Sequence, residues 1–140
     1  MRFVSVALLA VAALIAGGCG SSSDESMAQD TVSTAVSGLA KGDAKTVCDQ
    51  LTVPAQRRLL VLLADNPLGF PDIKAANCLD AVTKLHAKLT QAQRDVLVDG
   101  EVEKAKVTGD KATVHVTGAG MTANLQKLNG KWMITGGLFQ

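Results

Sequence analysis

The sequence predicts an α+β domain in which amino-terminal helices pack on a four-stranded antiparallel sheet. Apolar residues recur at helical spacing over the amino-terminal part of the 140-residue chain and alternate at strand spacing over the carboxyl-terminal part. Turn signals separate the alternating segments. Helices grouped before strands are typical of α+β domains.

Residues 1–18 have the pattern of a secretory signal peptide. Arg2 supplies a short positive region, and "FVSVALLAVAALIA" supplies an apolar stretch of about 14 residues. A helix that spans a bilayer needs about 20 apolar residues, so an uncleaved span is the less favoured alternative. We therefore expect export, with cleavage before Cys19.

Cys19 follows "AGG", which suits an ordinary signal peptidase and also resembles a bacterial lipobox, with Ala16 where leucine is usual. The chain has three cysteines, and an odd thiol in an oxidising compartment needs an explanation, which lipidation of Cys19 supplies. The expected product is a lipoprotein anchored to the extracytoplasmic face of a bacterial cell membrane. Residues 19–26 are predicted to be the lipidated cysteine and a flexible linker, and residues 27–140 a single domain.

The first helix is predicted from a capping box and an apolar stripe. Ser26 and Gln29 have capping-box spacing, and Gly42 is suited to end the helix in the left-handed conformation. The stripe between them consists of Val32, Ala35, Val36, Leu39 and Ala40.

Four further helices follow in the predicted order. Asp43 and Thr52 are expected to start two of them, and a Thr90–Gln93 capping box starts the last, which runs to Leu97. Between these, a helix is expected from Asp72. Its predicted core stripe consists of Ala75, Cys78, Leu79, Val82, Leu85 and Leu89.

Cys48 and Cys78 both fall in apolar helix stripes and remain as an even pair if Cys19 is lipidated. In an exported protein this pattern predicts a disulfide between them. Two buried free thiols are the alternative.

The strands are predicted from alternation and from two turns. Ala112, Val114 and Val116 share one face of a strand, and Thr113, His115 and Thr117 share the other. Turns are expected at Gly109-Asp110 and at Asn129-Gly130, the latter being a strong hairpin signal. Together they predict four antiparallel strands.

The runs "LAKGDAKTVCDQLTVPAQRRL", "VTGDKATVHV" and "LQKLNGKWMI", with a cysteine helix after the first run, resemble small bacterial lipoproteins of the nuclear transport factor two-like, cystatin-like superfamily. The resemblance covers about Ala28 to Thr135. It implies a curved sheet that wraps a long helix into a cone, whose open end holds a small apolar ligand or an active site. Members include isomerases, dehydratases, cyclases and non-catalytic binding domains, so the fold alone does not distinguish among these functions.

Composition and motifs argue against several functions. A net charge of +1 lacks the basic excess that nucleic-acid binding requires. The chain has no tyrosine, which removes the oxyanion donor of steroid-isomerase-like members of the superfamily. Two histidines about 29 residues apart do not form a metal-ligand set. We expect no catalytic residues, no metal and no cofactor.

Four residues are the candidates for contact with a ligand or partner. Leu68 and Phe70 lie in an apolar loop between prolines, Phe139 lies near the carboxyl terminus, and His86 lies at the margin of a helix stripe. A structural, hydrogen-bonded role for His86 is the favoured alternative, as is a core role for Phe70.

Three functions follow from these observations. The first is a non-catalytic, membrane-anchored domain that binds a protein partner or a small apolar ligand. The second is a cone-fold enzyme, which predicts a polar residue such as His86 or Asp80 pointing into a sizeable cavity. The third is an envelope assembly subunit, which predicts a homodimer that buries Phe70 or Phe139.

Overall fold

The computed structural model describes residues 21–65 and 73–139. Within these ranges the chain forms five helices followed by four strands. The helices are α1 (Ser21–Lys41), α2 (Ala44–Gln50), α3 (Val53–Asp65), α4 (Cys78–Lys88) and α5 (Gln91–Asp99). The strands are β1 (Lys106–Thr108), β2 (Lys111–Val116), β3 (Met121–Leu128) and β4 (Lys131–Gly136). The predicted α+β class is confirmed.

The four strands form one antiparallel sheet in the order β1-β2-β3-β4. The predicted turns at residues 109–110 and 129–130 join β1 to β2 and β3 to β4. Asn129 and Gly130 both have positive φ, 50° and 80°, as a two-residue hairpin turn of type I′ requires. Strand β2 alternates as predicted, with Ala112, Val114 and Val116 buried against the helices.

Helix α1 crosses the inner face of the sheet and also contacts α2, α4 and α5. All five residues of its predicted stripe are buried. The helix ends at Gly42, whose φ of +76° confirms the predicted left-handed termination. The His86 ring lies against this glycine, where a Cβ atom would approach its Cδ2 to 2.8 Å. A side chain at position 42 would therefore have to displace the His86 ring.

The start of α1 differs from the prediction. The helix begins at Ser21, so residues 21–26, predicted as part of a flexible linker, are helical, and Ser26 lies inside the helix. The predicted capping box is therefore wrong: the Gln29 side chain donates from Nε2 to the Val102 carbonyl at 2.9 Å. Gln29 thus makes a tertiary contact in place of the predicted local one.

Helix α4, by contrast, begins later than predicted. Asn77 caps it, accepting a hydrogen bond from the Asp80 N–H, and residues 73–77 are not helical. Leu79, predicted to be in the core, is 49% exposed, whereas Ala81 is fully buried. The stripe of the shorter helix is thus Cys78, Ala81, Val82 and Leu85.

The other predicted helix starts are confirmed. Asp43 accepts a hydrogen bond from the Thr46 N–H, and Thr52 Oγ1 accepts one from the Ala55 N–H at 3.3 Å. Thr90 and Gln93 form both hydrogen bonds of a capping box. Helix α5 continues to Asp99, two residues beyond the predicted end.

The predicted disulfide is present between Cys48 of α2 and Cys78 of α4, with Cα atoms 6.1 Å apart. Both cysteines are buried in the single core, in which Trp132, Leu59 and Leu63 are the largest fully buried side chains. The bridge joins the two helices that border the carboxyl end of α1.

Asp24 connects the first turn of α1 to the sheet. Its Oδ1 atom accepts hydrogen bonds from Lys127 Nζ at 2.7 Å and from Trp132 Nε1 at 3.3 Å. The hydrogen bond from Lys127 is the main reason that the pKa of the Asp24 carboxyl is lowered from its ordinary value, although partial burial opposes the shift. The ionised form of Asp24 therefore stabilises the folded state.

We expect Asp24→Asn to lower the melting temperature at neutral pH, because asparagine keeps an acceptor oxygen but loses the charge that Lys127 neutralises. A carboxyl with a lowered folded-state pKa contributes stability above its unfolded pKa, about 3.9, and loses it as the pH falls through the folded value. The difference between variant and wild type should thus shrink below about pH 3.9. Calorimetry across this range checks it, with the exposed Asp30→Asn as a control on the same helix. An unchanged difference in acid would contradict the assignment.

Candidate functional site

A cavity of about 420 Å³ opens to solvent at one end of the helical layer. It lies where the last turn of α1, the end of α4 and one face of α5 meet the β2–β3 turn and the carboxyl-terminal turn. The lining consists of Leu39, Leu85, Leu89, Ala92, Gln93, Val96, Leu97, Ala119, Gly120, Met121, Leu138 and Phe139. This volume falls within the range of small-molecule sites, about 300 to 1,000 Å³.

The floor and walls of the cavity are held by buried side chains. Leu39 of α1 and Leu85 of α4 are 4% and 2% exposed, so they are fixed by the core beneath them. Leu97 of α5 is also buried. Closer to solvent, Ala92 is exposed and Val96 is 43% exposed. The base of the site is therefore buried and its rim is accessible to solvent.

The wall formed by Leu138 and Phe139 depends on Gly137. This glycine has a φ of +87°, and a Cβ atom built on it would lie 2.0 Å from the Thr122 carbonyl oxygen of β3. The close approach turns the chain after β4 and directs it over the core, where Leu138 is buried and Phe139 is half-buried. Glycine at position 137 thus makes this wall of the cavity possible.

The described side chains of the lining are almost wholly apolar. Gln93 supplies the polar side chain, and its Oε1 atom already accepts a hydrogen bond from the Thr90 backbone N–H at 2.8 Å. The other lining side chains are apolar, apart from Gly120, which has none. An uncharged, apolar ligand would bury hydrocarbon surface here without leaving a buried charge unpaired.

His86 lies outside the lining of this cavity. Its Nδ1 atom is 2.9 Å from the Leu39 carbonyl oxygen in the last turn of α1, which also accepts a hydrogen bond from the Gly42 N–H at 3.2 Å. This is the structural role that the sequence analysis favoured. Asp80 is likewise elsewhere: it forms an ion pair with Lys84 on α4, and the hydrogen bond from Lys84 lowers the pKa of the Asp80 carboxyl.

The structure brings one of the four predicted contact residues, Phe139, into the cavity lining. Leu68 and Phe70 lie outside the described residues, as does the predicted anchor Cys19. The lining residues Leu39, Leu85, Leu89 and Leu97 were predicted only as core or as helix positions. No local signal marks them, because a leucine that lines a cavity and one that fills a core have the same spacing.

Described residues also line two smaller cavities. One, between α3 and the carboxyl-terminal turn, has a volume of about 20 Å³, enough for about one water molecule. The other, about 290 Å³, is a polar surface depression between α1 and α2.

Across residues 21–65 and 73–139, no group of three or more His, Cys, Asp or Glu side chains could hold a metal ion. Nor does any helix in those ranges have the length and apolar character to cross a membrane.

Fold and site together define a class: an α+β domain with five helices packed against a four-stranded antiparallel sheet and a solvent-open aliphatic cavity at one end. Comparison of the chain with protein-family models, with curated proteins and with solved structures found no match.

Proposed function

We propose that this protein is an extracytoplasmic lipoprotein of the bacterial cell envelope, anchored through Cys19, whose domain binds a small apolar ligand without catalysis. The observation that carries the binding role is the cavity of about 420 Å³. Its described lining residues offer hydrocarbon surface and one side-chain amide, that of Gln93. A saturated aliphatic chain or a neutral ring system of similar size matches that chemistry.

The composition of the lining favours this role over the enzyme alternative. General acid–base catalysis needs a titratable group within hydrogen-bond reach of the substrate. His86 and Asp80, the residues whose presence in the cavity would favour an enzyme, are engaged with the Leu39 carbonyl and with Lys84 instead. Among the residues that the structure describes, the lining contains no Asp, Glu, His, Lys, Arg or Cys.

We further propose that the sheet and α1 form the cone of the nuclear transport factor two-like, cystatin-like superfamily. The antiparallel order of the strands, the helices on one sheet face and the register shift between Asn124 and Leu125 of β3 are compatible with a curved sheet. The cavity lies at one end of α1, where the open end of such a cone would be.

Binding is tested with the uncharged fluorophore Nile red, titrated into the mature chain carrying Cys19→Ala so that no acyl chain competes. Ala92→Trp places a large ring in the mouth of the cavity at an exposed position, where it does not disturb the core. We expect it to weaken Nile red binding about tenfold or more, which corresponds to about 1.4 kcal/mol. A saturated fatty alcohol should compete with Nile red in the unsubstituted chain.

Ala87→Trp is the matched control, because Ala87 is also an exposed helical alanine but does not line the cavity. It should bind Nile red as the unsubstituted chain does. Equal affinities of the two tryptophan variants would refute the cavity as the binding site.

The anchor is tested by the intact mass of protein purified from bacterial membranes, with and without Cys19→Ala. A lipid-sized mass on the peptide that contains Cys19 is expected. Cleaved protein with a free Cys19 thiol would refute the lipoprotein proposal and leave a secreted binding protein.

A further inference from the structure

We propose that the end of the domain that carries the turns at residues 109–110 and 129–130, the hairpin end, lies against the lipid headgroups. This inference rests on the proposed lipidation of Cys19. The surface that the hairpin end contacts is the bilayer into which the lipid on Cys19 inserts. The cavity then lies at the opposite end of the domain, directed away from the membrane.

The first step is the length of chain between anchor and fold. Helix α1 begins at Ser21, so Gly20 alone separates it from Cys19. Two Cα–Cα steps of about 3.8 Å span at most about 8 Å. The first turn of α1 would therefore be held close to the membrane surface, without the length of a flexible linker.

The second step is the attachment of that turn to the sheet. Asp24 accepts hydrogen bonds from Lys127 and Trp132, which face each other in the β3–β4 ladder two pairs before the turn at 129–130. Glu25 forms an ion pair with Lys104 at 2.9 Å. The hydrogen bonds of Asp24 thus attach the start of α1 to the sheet near the hairpin end, and the ion pair of Glu25 adds a contact with the segment before β1.

The third step is that both hairpin turns lie at this end. The Lys127 N–H donates to the Asp110 carbonyl at 2.7 Å, which joins the β1–β2 turn to the last part of β3. Leu128 is 41% exposed here, and Lys111 and Lys131 are exposed beside it. Their charges are partly offset by the exposed Asp110. An exposed leucine flanked by lysines suits an interface in which aliphatic stems contact lipid and ammonium groups reach phosphate.

The position of the cavity follows from the same geometry. Helix α1 has 21 residues and is about 30 Å long, and Leu39 in its last turn lines the cavity. Strand β3, with 8 residues, spans about 26 Å between the turn at 129–130 and the β2–β3 turn, which also borders the cavity. A ligand would therefore be exchanged with the extracytoplasmic medium or a carrier there, not taken directly from the bilayer beneath.

The test measures the distance of each end from the membrane. The full mature lipoprotein, with its disulfide closed, is labelled with bimane at Lys111→Cys or at Lys88→Cys and reconstituted in vesicles of phosphatidylcholine and phosphatidylglycerol that carry a nitroxide on the headgroup. Residue 111 lies at the hairpin end, and residue 88 is exposed at the end of α4 beside the cavity. We expect headgroup quenching to be several-fold stronger at residue 111.

A long Gly-Ser insert between Gly20 and Ser21 is the control, since it should release the domain and bring the two positions toward equal quenching. Flotation with the vesicles and equal quenching without the insert would overturn the orientation while leaving the anchor intact. Failure to float with the vesicles would refute the anchor, and the orientation with it.

Discussion

Replacing both Cys48 and Cys78 with alanine should lower the free energy of unfolding by about 3 to 4 kcal/mol. The bridge closes a loop with a sequence separation of 30, and in the chain-entropy model the cross-link removes conformational freedom mainly from the unfolded chain. Since small domains have net stabilities of about 5 to 15 kcal/mol, the loss is a large part of the total. Urea unfolding followed by circular dichroism measures it.

The same experiment separates the cross-link from side-chain packing. Wild-type protein unfolded in the presence of reductant should lose about as much stability as the double-alanine variant, because both remove the covalent loop. The urea m-value is expected to rise in both, since an unfolded chain without the bridge exposes more surface. An unchanged midpoint on reduction would show that the bridge contributes little.

Gly137→Ala should destabilise the protein by about 3 to 5 kcal/mol and abolish Nile red binding. Two costs combine here: the left-handed φ of +87°, and a Cβ position 2.0 Å from the Thr122 carbonyl oxygen, which forces the backbone to move. The movement would displace Leu138 and Phe139 from the wall of the cavity.

Gly109→Ala is the matched control for this prediction. Gly109 also has positive φ, +62°, but a Cβ atom there meets nothing within 4 Å. It should cost about 1 to 2 kcal/mol, the conformational part alone, and leave the cavity unchanged. Thermal unfolding and Nile red titration of both variants make the comparison. Equal destabilisation would contradict the role assigned to the close approach at Gly137.

Where hydrogen-bond partners are near in sequence, local patterns predicted the structure correctly. Thr90 and Gln93 are three residues apart and form the predicted capping box. Asn129-Gly130 forms the predicted turn. Strand alternation in β2 assigned each side chain to the correct face, because a two-residue period leaves only one register that buries the apolar set.

The predictions that were wrong concern residues whose hydrogen-bond partners are far away in the sequence. Ser26 and Gln29 have the spacing of a capping box, yet the amide of Gln29 donates to Val102, 73 positions away. Asp24 extends α1 into the predicted linker through Lys127 and Trp132, which are 103 and 108 positions away. A local pattern contains no information about such partners.

By itself, then, the sequence determined the α+β class, the antiparallel turns and the pairing of Cys48 with Cys78, since each depends on local periodicity or on the number of cysteines. Only the tertiary structure decided that α1 is fixed to the hairpin end and that aliphatic side chains from separate elements leave a cavity between them. A cavity is the space that packed elements fail to fill, and its volume depends on how all of them meet. The carbonyl of Thr122 decides the conformation at Gly137 for the same reason, because the two residues meet only in the folded chain.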